Sequence, residues 1–186
     1  MVEVKVRPEE ALKRLKEGNE RYINAKQSLG DISPMIREKT VTGGQHPYAI
    51  IIACADSRVI PEAIFSAGIG ELFVIRVAGN VIDNHQLGSI EYAAGHLGTG
   101  LLVILGHNHC GAVDAAMHSK PDGYVKTITD EIAKAIGDEK DEYRASCLNA
   151  RNSKKVVEQR LKLDENSELK VVAAIYNLET GAVDFI

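Results

Sequence analysis

Two short segments of this 186-residue chain combine residue types that bind metals or move protons. The first, CADSR over residues 54–58, follows an apolar run and carries a thiol, a carboxylate and a guanidinium at alternate positions. In an extended chain residues i, i+2 and i+4 lie on one side, so we expect these three side chains to lie together. The second segment, GHNHCG over residues 106–111, places a histidine and a cysteine three positions apart between two glycines.

Cys54, His107 and Cys110 together offer two thiolates and an imidazole, which are donors that Zn²⁺ prefers. Three protein ligands leave the fourth tetrahedral position open, a pattern typical of catalytic rather than structural zinc. His109 is a competing ligand, but neighbouring side chains tend to diverge, so we favour His107. Either cysteine alone would be read as a buried structural residue. The combination at two predicted strand ends indicates a metal site.

Asp56 and Arg58 leave two roles open. Asp56 could bind the metal in the fourth position and close the site. Alternatively, Arg58 could fix Asp56 so that the carboxylate accepts a hydrogen bond from a metal-bound water. A surface salt bridge near a turn is the plainer alternative, since exposed ion pairs contribute little stability.

Both segments follow apolar runs that read as strands of a parallel sheet. The runs are short, rich in β-branched residues and nearly continuous in apolar residues, as expected of strands buried on both faces. They are YAIIIACA, ELFVIRVAG, LLVILGH and LKVVAAIYNLE. Because sites in such sheets gather at the carboxyl ends of strands, we expect the two segments to converge there.

Helical patterns alternate with these strands and predict an α/β fold with helices flanking a mainly parallel central sheet. The predicted helices cover about residues 8–25, 59–66, 84–98 and 110–119, with two more inside 124–162. The polar stretch that ends in TVTGGQHP is read as a loop. NLETGAVDFI predicts a closing hairpin with Thr180 and Gly181 in its turn.

The composition describes an ordinary globular chain and excludes several classes of protein. A net charge of −4 offers no basic footprint for nucleic acid. The apolar runs are too short to cross a bilayer, and the N-terminal stretch has no apolar core typical of a signal peptide. Three widely spaced cysteines form no disulfide framework, so we expect a cytoplasmic protein.

The segments CADSRV and GHNHCGA resemble the β-class carbonic anhydrases, whose pattern is C-x-D-x-R followed by H-x-x-C. The likeness continues through ALKRLKEGNERY, LFVIRVAGN, GSIEYA and NLETG and covers nearly the whole chain. It implies reversible hydration of carbon dioxide to bicarbonate and a proton by hydroxide on zinc. One Zn²⁺ per chain would be held by Cys54, His107 and Cys110, with Asp56 and Arg58 as the catalytic dyad.

The resemblance also implies an assembly. Members of the family form homodimers, some of which associate into tetramers, with the N-terminal helix reaching over the partner. An antiparallel C-terminal strand extends the parallel sheet at its edge. We therefore assign residues 1–186 to a single domain, with residues 1–40 as an N-terminal helical arm.

Within the family, the chain is similar to the plant-like subgroup. It has no tryptophan, and Ile51 stands where another subgroup has the Trp of a regulatory bicarbonate site. Ala78 replaces a larger apolar residue of the plant-like pocket, and Gln45 matches a residue expected near the substrate oxygens. The residues expected to line the substrate pocket are Gln45, Phe73, Ala78, Tyr92 and Gly111.

Four alternatives stay open at this point. Relatives that hydrolyse carbon disulfide share the fold and the ligands. A structural zinc module would need a fourth ligand, from Asp56 or His109. A thiol redox enzyme would use Cys54 and Cys110, which lack the C-x-x-C spacing. A non-catalytic binding module would leave the acid and the guanidinium unexplained.

His109 and His85 are candidates for carrying the released proton, since imidazole titrates near neutral pH.

Overall fold

A sheet of five strands forms the centre of the described molecule, which comprises residues 5–25 and 30–186 of a computed structural model. The strands are β1 (Ala49–Ala53), β2 (Leu72–Arg76), β3 (Leu101–His107), β4 (Lys170–Tyr176) and β5 (Val183–Phe185). Their order is β2-β1-β3-β4-β5. All neighbours are parallel except β4 and β5, which are antiparallel. The predicted fold class is confirmed.

Helices cover both faces of this sheet. They are α1 (Pro8–Asn24), α2 (Pro34–Gly43), α3 (Pro61–Ile64), α4 (Asn84–Leu97), α5 (Gly111–His118), α6 (Val125–Ile136) and α7 (Glu142–Arg160). All the predicted helices are present, with ends shifted by a few residues. The boundaries of α4 show why: Asp83 forms a capping box with Gln86 at its start, and Gly98 takes the left-handed conformation at its end.

Helix α2 was not predicted, because the stretch before β1 was read as a loop. Ser33 caps the helix by accepting a hydrogen bond from the Ile36 backbone N–H at 3.3 Å, and Pro34 suits the first turn. The described structure buries none of its residues, and Met35 and Val41 are 75% and 81% exposed. An unburied helix has no apolar stripe, so the usual periodic pattern was missing.

The continuous apolar strands arise because both faces of the sheet are covered. Every residue of β1 and β3 is buried. One face, including Ile51, packs on Leu15 of α1 and on Ile64 of α3. The other, including Ile50, packs on α4 and α7. Burial on both sides removes the alternation of polar and apolar residues that marks a half-exposed strand.

Helix α1 is fixed to this core at Gly18 and Asn19. A β-carbon at Gly18 would overlap the Phe65 carbonyl, so the helix approaches that backbone closely. The buried Asn19 amide donates to the carbonyls of Ile64 and Gly181 at 3.2 and 2.8 Å. The predicted helical arm over 1–40 includes residues 1–4 and 26–29, which lie outside the described residues, so that division stays a prediction.

Within residues 5–25 and 30–186, no helix combines the length and the apolar character needed to cross a membrane.

Candidate metal and catalytic site

The carboxyl ends of β1 and β3 bring the two chemical segments together, as predicted. Ala53 of β1 lies opposite Leu105 of β3, so Cys54 follows one strand close to where His107 ends the other. Cys110 lies one turn further, at the start of α5. One ligand atom from each of these residues lies within 4.8 Å of the other two, and all three residues are buried. The structure thus brings the three predicted residues together without His109, and their role as metal ligands stays a prediction.

The two thiols of this cluster ionise unequally. A hydrogen bond from the Cys110 thiol, with further hydrogen bonds from the backbone N–H groups of Asp56 and Gly79, lowers the pKa of Cys54 to about 4. The hydrogen bond to Cys54 and burial raise the pKa of Cys110 well above its usual range. One thiolate therefore forms readily, and removing the second proton requires a nearby positive charge. A divalent cation supplies that charge, because thiolate rather than thiol is the metal ligand.

His107 contributes an orphaned polar atom. Its Nδ1 lies 2.7 Å from the Asn108 carbonyl oxygen, so Nδ1 carries the proton and donates it. Its buried Nε2 has no hydrogen-bond partner within residues 5–25 and 30–186, an arrangement that costs free energy unless something binds there. A tetrahedral Zn²⁺ fits this donor set, because two sulfurs and an imidazole nitrogen are among its preferred ligands.

Asp56 and Arg58 form a bidentate pair, although not through an extended chain. The expected alternation was wrong: β1 ends at Ala53, and a turn follows in which the Val59 N–H donates to the Asp56 carbonyl at 3.0 Å. Arg58 curls back within this turn. Its Nε and Nη2 donate to the two Asp56 carboxylate oxygens at 3.0 and 2.7 Å, and its backbone N–H donates to one of them at 2.9 Å.

This pairing fixes both the charge and the direction of the carboxylate. Hydrogen bonds from the Arg58 side chain hold the pKa of Asp56 well below its usual range, so Asp56 is ionised at neutral pH. One of its oxygens lies 4.0 Å from the orphaned His107 nitrogen. An ionised carboxylate thus lies beside the ligand cluster, positioned to accept a hydrogen bond there.

A second loop holds Cys54 and was not assigned a role from the sequence. The Gly79 N–H donates to the Cys54 sulfur at 3.3 Å, and Asn149 holds the Gly79 carbonyl at 2.8 Å. Gly79 has a φ of 65°, and a β-carbon there would lie 2.6 Å from a methyl group of Ile132. Gly79 belongs to the RVAGN stretch of the sequence. No residue pattern in that stretch indicates its contact with the distant Cys54.

The five residues predicted to line the substrate pocket fall into two places. Ala78 and Gly111 are chain neighbours of Gly79 and Cys110 and lie beside the ligands. The exposed Gln45, with Phe73 and Tyr92, lies towards the amino ends of the strands. Phe73 pairs with Ile50, three residues before the end of β1, or about 10 Å along the strand.

Tyr92 packs on Phe73 with ring centroids 6.1 Å apart. One copy of the chain does not bring these aromatic residues to its own ligand cluster, and their role in the pocket stays a prediction. A surface cavity of about 570 Å³ also lies near the amino ends, between α4 and the loop before β4, and contains none of the ligands.

The two candidates for proton transfer differ in their surroundings. His109 lies beside the ligand loop, where its Nε2 is 2.7 Å from Glu179 and its Nδ1 is 3.5 Å from Glu142. His85 lies in the first turn of α4 with its side chain 96% exposed. Their roles in proton transfer stay predictions.

Comparison with known proteins agrees with this geometry. Residues 49–183 match the family model described as carbonic anhydrase. The chain is 44% identical over 134 residues to carbonic anhydrase 2 of Mycobacterium tuberculosis, an alignment that covers 69% of this chain and 64% of that relative. The chain therefore spans just under two thirds of the length of that relative.

Two solved structures share the fold. A β-carbonic anhydrase of Aspergillus fumigatus superposes with a TM-score of 0.73 and 27% identity, over 80% of this chain and 79% of that one. A tetrameric β-carbonic anhydrase of Sordaria macrospora gives 0.72 and 26%, over 83% and 87% of the two chains. With the family match and the geometry of the cluster, these likenesses show that the chain belongs to the β-carbonic anhydrase family.

Proposed function

We propose that the protein is a zinc-dependent carbonic anhydrase that catalyses the reversible hydration of carbon dioxide to bicarbonate and a proton. The observation that carries this proposal is the buried cluster of Cys54, His107 and Cys110 with an ionised, Arg58-bound carboxylate beside it. A purely structural zinc site would not need that carboxylate. Its position suits a group that directs a reacting water.

Cys54, His107 and Cys110 would hold the zinc ion, one per chain. Zinc bound there supplies a Lewis acid that lowers the pKa of a coordinated water from 15.7 to about 7. The chain contributes the second requirement, which is orientation. Asp56 accepts a hydrogen bond from the attacking water, so that an oxygen lone pair faces the carbon of carbon dioxide.

The low pKa of Asp56 decides between two roles for this carboxylate. A general base must take a proton and is most effective when its pKa lies near the working pH. Arg58 keeps the pKa of Asp56 far below that range. Asp56 therefore orients the water without keeping its proton, and the proton leaves through other groups. His109, on the partly exposed side of the loop, is the nearer of the two candidate histidines.

We further propose that the active enzyme is at least a homodimer of the plant-like kind, with an open site. Gln45, Phe73 and Tyr92 are too far along the strands to line the pocket of their own chain, so a second copy would supply them. Two features support an assembly: β2 is an edge strand with partly exposed apolar residues, and α2 carries exposed apolar side chains. Association into a tetramer is compatible with the description of the Sordaria macrospora relative.

We place the enzyme in the cytoplasm. Cys54, Cys110 and Cys147 are all free thiols. Thiols that serve as metal ligands must stay reduced, and the reducing cytoplasm keeps them so.

Stopped-flow measurement of carbon dioxide hydration tests the proposed reaction. Zinc-loaded protein is expected to accelerate hydration, with a rate that rises from neutral to alkaline pH, since two thiolates place negative charge on the metal. Carbon disulfide is the second substrate to assay. Hydrolysis of carbon disulfide without hydration of carbon dioxide would overturn the proposal in favour of the related hydrolases.

A further inference from the structure

The turn between β4 and β5 contacts the ligand loop, residues 107–110, through the carboxylate of Glu179. One Glu179 oxygen accepts a hydrogen bond from the Asn108 amide at 2.6 Å, and the other accepts from the His109 Nε2 at 2.7 Å. The Asn108 side chain in turn accepts a hydrogen bond from the Leu178 backbone N–H at 2.9 Å. Asn108 and His109, the two residues between His107 and Cys110, are thus both hydrogen-bonded to the turn.

The backbone of His109 has a strained conformation, and its carbonyl oxygen contacts Arg58. Its φ of 52° lies in the left-handed region, which non-glycine residues adopt only when their surroundings fix it. In this conformation its carbonyl oxygen accepts a hydrogen bond from Arg58 Nη2 at 3.1 Å. The same nitrogen donates to the Asp56 carboxylate at 2.7 Å. The His109 carbonyl is therefore a second anchor of the guanidinium that orients Asp56.

Glu179 is itself held in place for this contact. The Asn177 side chain accepts hydrogen bonds from the backbone N–H groups of Glu179 and Thr180 at 3.0 and 2.8 Å. This fixes the start of the turn and points the carboxylate at the loop. Glu142, the other carboxylate near His109, lies 3.5 Å from its Nδ1 and makes no hydrogen bond to Asn108. Of these two carboxylates, Glu179 is the one that hydrogen-bonds to both loop residues.

We propose that Glu179 is a positioning residue for the reaction. By fixing His109 in its left-handed conformation, Glu179 keeps the His109 carbonyl against Arg58 and so keeps the Asp56 carboxylate aimed at the attacking water. The inference rests on the proposed function, because the roles of Asp56 and Arg58 belong to it.

Substitution of Glu179 tests the inference by kinetics. Glu179→Ala is expected to lower kcat about fivefold to tenfold, the factor that one net hydrogen bond contributes. KM should stay within about twofold, since no contact with substrate is removed. Glu179→Gln keeps one acceptor oxygen and is expected to fall between wild type and Glu179→Ala. The matched control is Glu131→Ala, which removes an exposed carboxylate paired with Lys134 on α6.

A second measurement does not depend on turnover. The Arg58 Nε–H resonance, identified with Arg58→Lys, is expected to shift or broaden in zinc-loaded Glu179→Ala and to stay unchanged in Glu131→Ala. An unchanged resonance in Glu179→Ala would overturn the inference. So would a loss of kcat in proportion to a loss of bound zinc or to a lower free energy of unfolding. If the wild-type protein hydrates no carbon dioxide, the proposed reaction fails, and the resonance alone decides the role of Glu179.

Discussion

At the scale of single residues, the site is defined by three buried side chains, two thiols and an imidazole, whose ligand atoms lie close enough together to hold one metal ion. Cys110 retains its proton beside an ionised Cys54, and the His107 Nε2 has no hydrogen-bond partner in the part of the chain that the structure describes. The unpartnered nitrogen costs free energy in the metal-free protein, and a bound divalent cation would remove that cost and displace the Cys110 proton. The residue types and their spacing were enough to predict that these three residues meet, because the chemistry of zinc restricts which side chains can serve as its ligands.

Single cysteine-to-serine substitutions test which of the three cysteines bind the metal. Cys110→Ser is expected to lose zinc, because a serine hydroxyl does not ionise near neutral pH and leaves two ligands. Cys147→Ser, in α7 and outside the cluster, should keep one zinc per chain and serves as the control. Elemental analysis of the purified proteins measures both. Full zinc content in Cys110→Ser would refute the ligand assignment.

Replacing the carboxylate tests whether it orients the reacting water. Asp56→Asn should retain zinc but lose about 100-fold or more in kcat/KM, the scale on which loss of correct orientation lowers a rate. Asp114→Asn, an exposed acid paired with His118, is the matched control and should have wild-type kinetics. Near-normal kcat/KM in Asp56→Asn would remove this carboxylate from the mechanism.

The pH profile of the wild-type enzyme tests the charge state of the same carboxylate. The pKa of Asp56 is lowered from 3.8, so its ionised form is lost only as the pH falls through a still lower value. The activity is therefore expected to show no carboxylate titration at or above about pH 4. Rates in a buffer series down to the acid limit of stability measure this. An acidic limb with a pKa near 4 would show that Arg58 does not control Asp56.

At the scale of elements, strands and amphipathic helices were predictable and local turns were not. Two-sided burial made β1 and β3 continuous apolar runs, which are easy to recognise. Helix α2 was not predicted from the sequence because its own chain buries none of its residues in the described structure. The Asp56–Arg58 contact was expected for the wrong reason, since a turn rather than an extended strand brings the two together. Turn geometry depends on distant contacts such as those that Arg76 makes with the carbonyls of Cys54 and Asp56.

The docking of α1 on the sheet depends on a close backbone contact. Gly18→Ala is expected to destabilise the fold by about 1–3 kcal/mol, because the added methyl group would overlap the Phe65 carbonyl and force the helix outward. Its exposed neighbour offers a control, since Glu17→Ala should change stability by less than about 0.5 kcal/mol. Denaturant unfolding compares them. Equal midpoints would show that α1 tolerates displacement from the core.

At the scale of the whole molecule, the residues proposed to bind substrate do not meet within one chain. Ala78 and Gly111 lie at the ligand cluster, whereas Phe73 and Tyr92 lie towards the far end of the sheet. A sequence motif identifies such residues without indicating which copy of the chain they serve. The exposed apolar side chains on α2 are a second feature that the proposed dimer would explain.

Hybrid dimers test whether the pocket is shared between copies. Cys110→Ser is expected to lack metal, and the double variant Phe73→Ala, Tyr92→Ala would have damaged pockets. A purified hybrid of the two is expected to regain one intact site per dimer, built from the ligands of one chain and the aromatic residues of the other. The control hybrid pairs Cys110→Ser with Tyr124→Ala, which changes another exposed tyrosine. No gain over the parent variants would place the pocket within a single chain.

The dependence of carbon dioxide hydration on bound zinc tests the central claim most directly. Stopped-flow rates would be measured at fixed alkaline pH on protein carrying measured amounts of zinc, from none to one per chain. The account predicts a rate proportional to zinc content, with none above the uncatalysed background in the zinc-free protein. A zinc-replete protein whose hydration rate equals that background would contradict it.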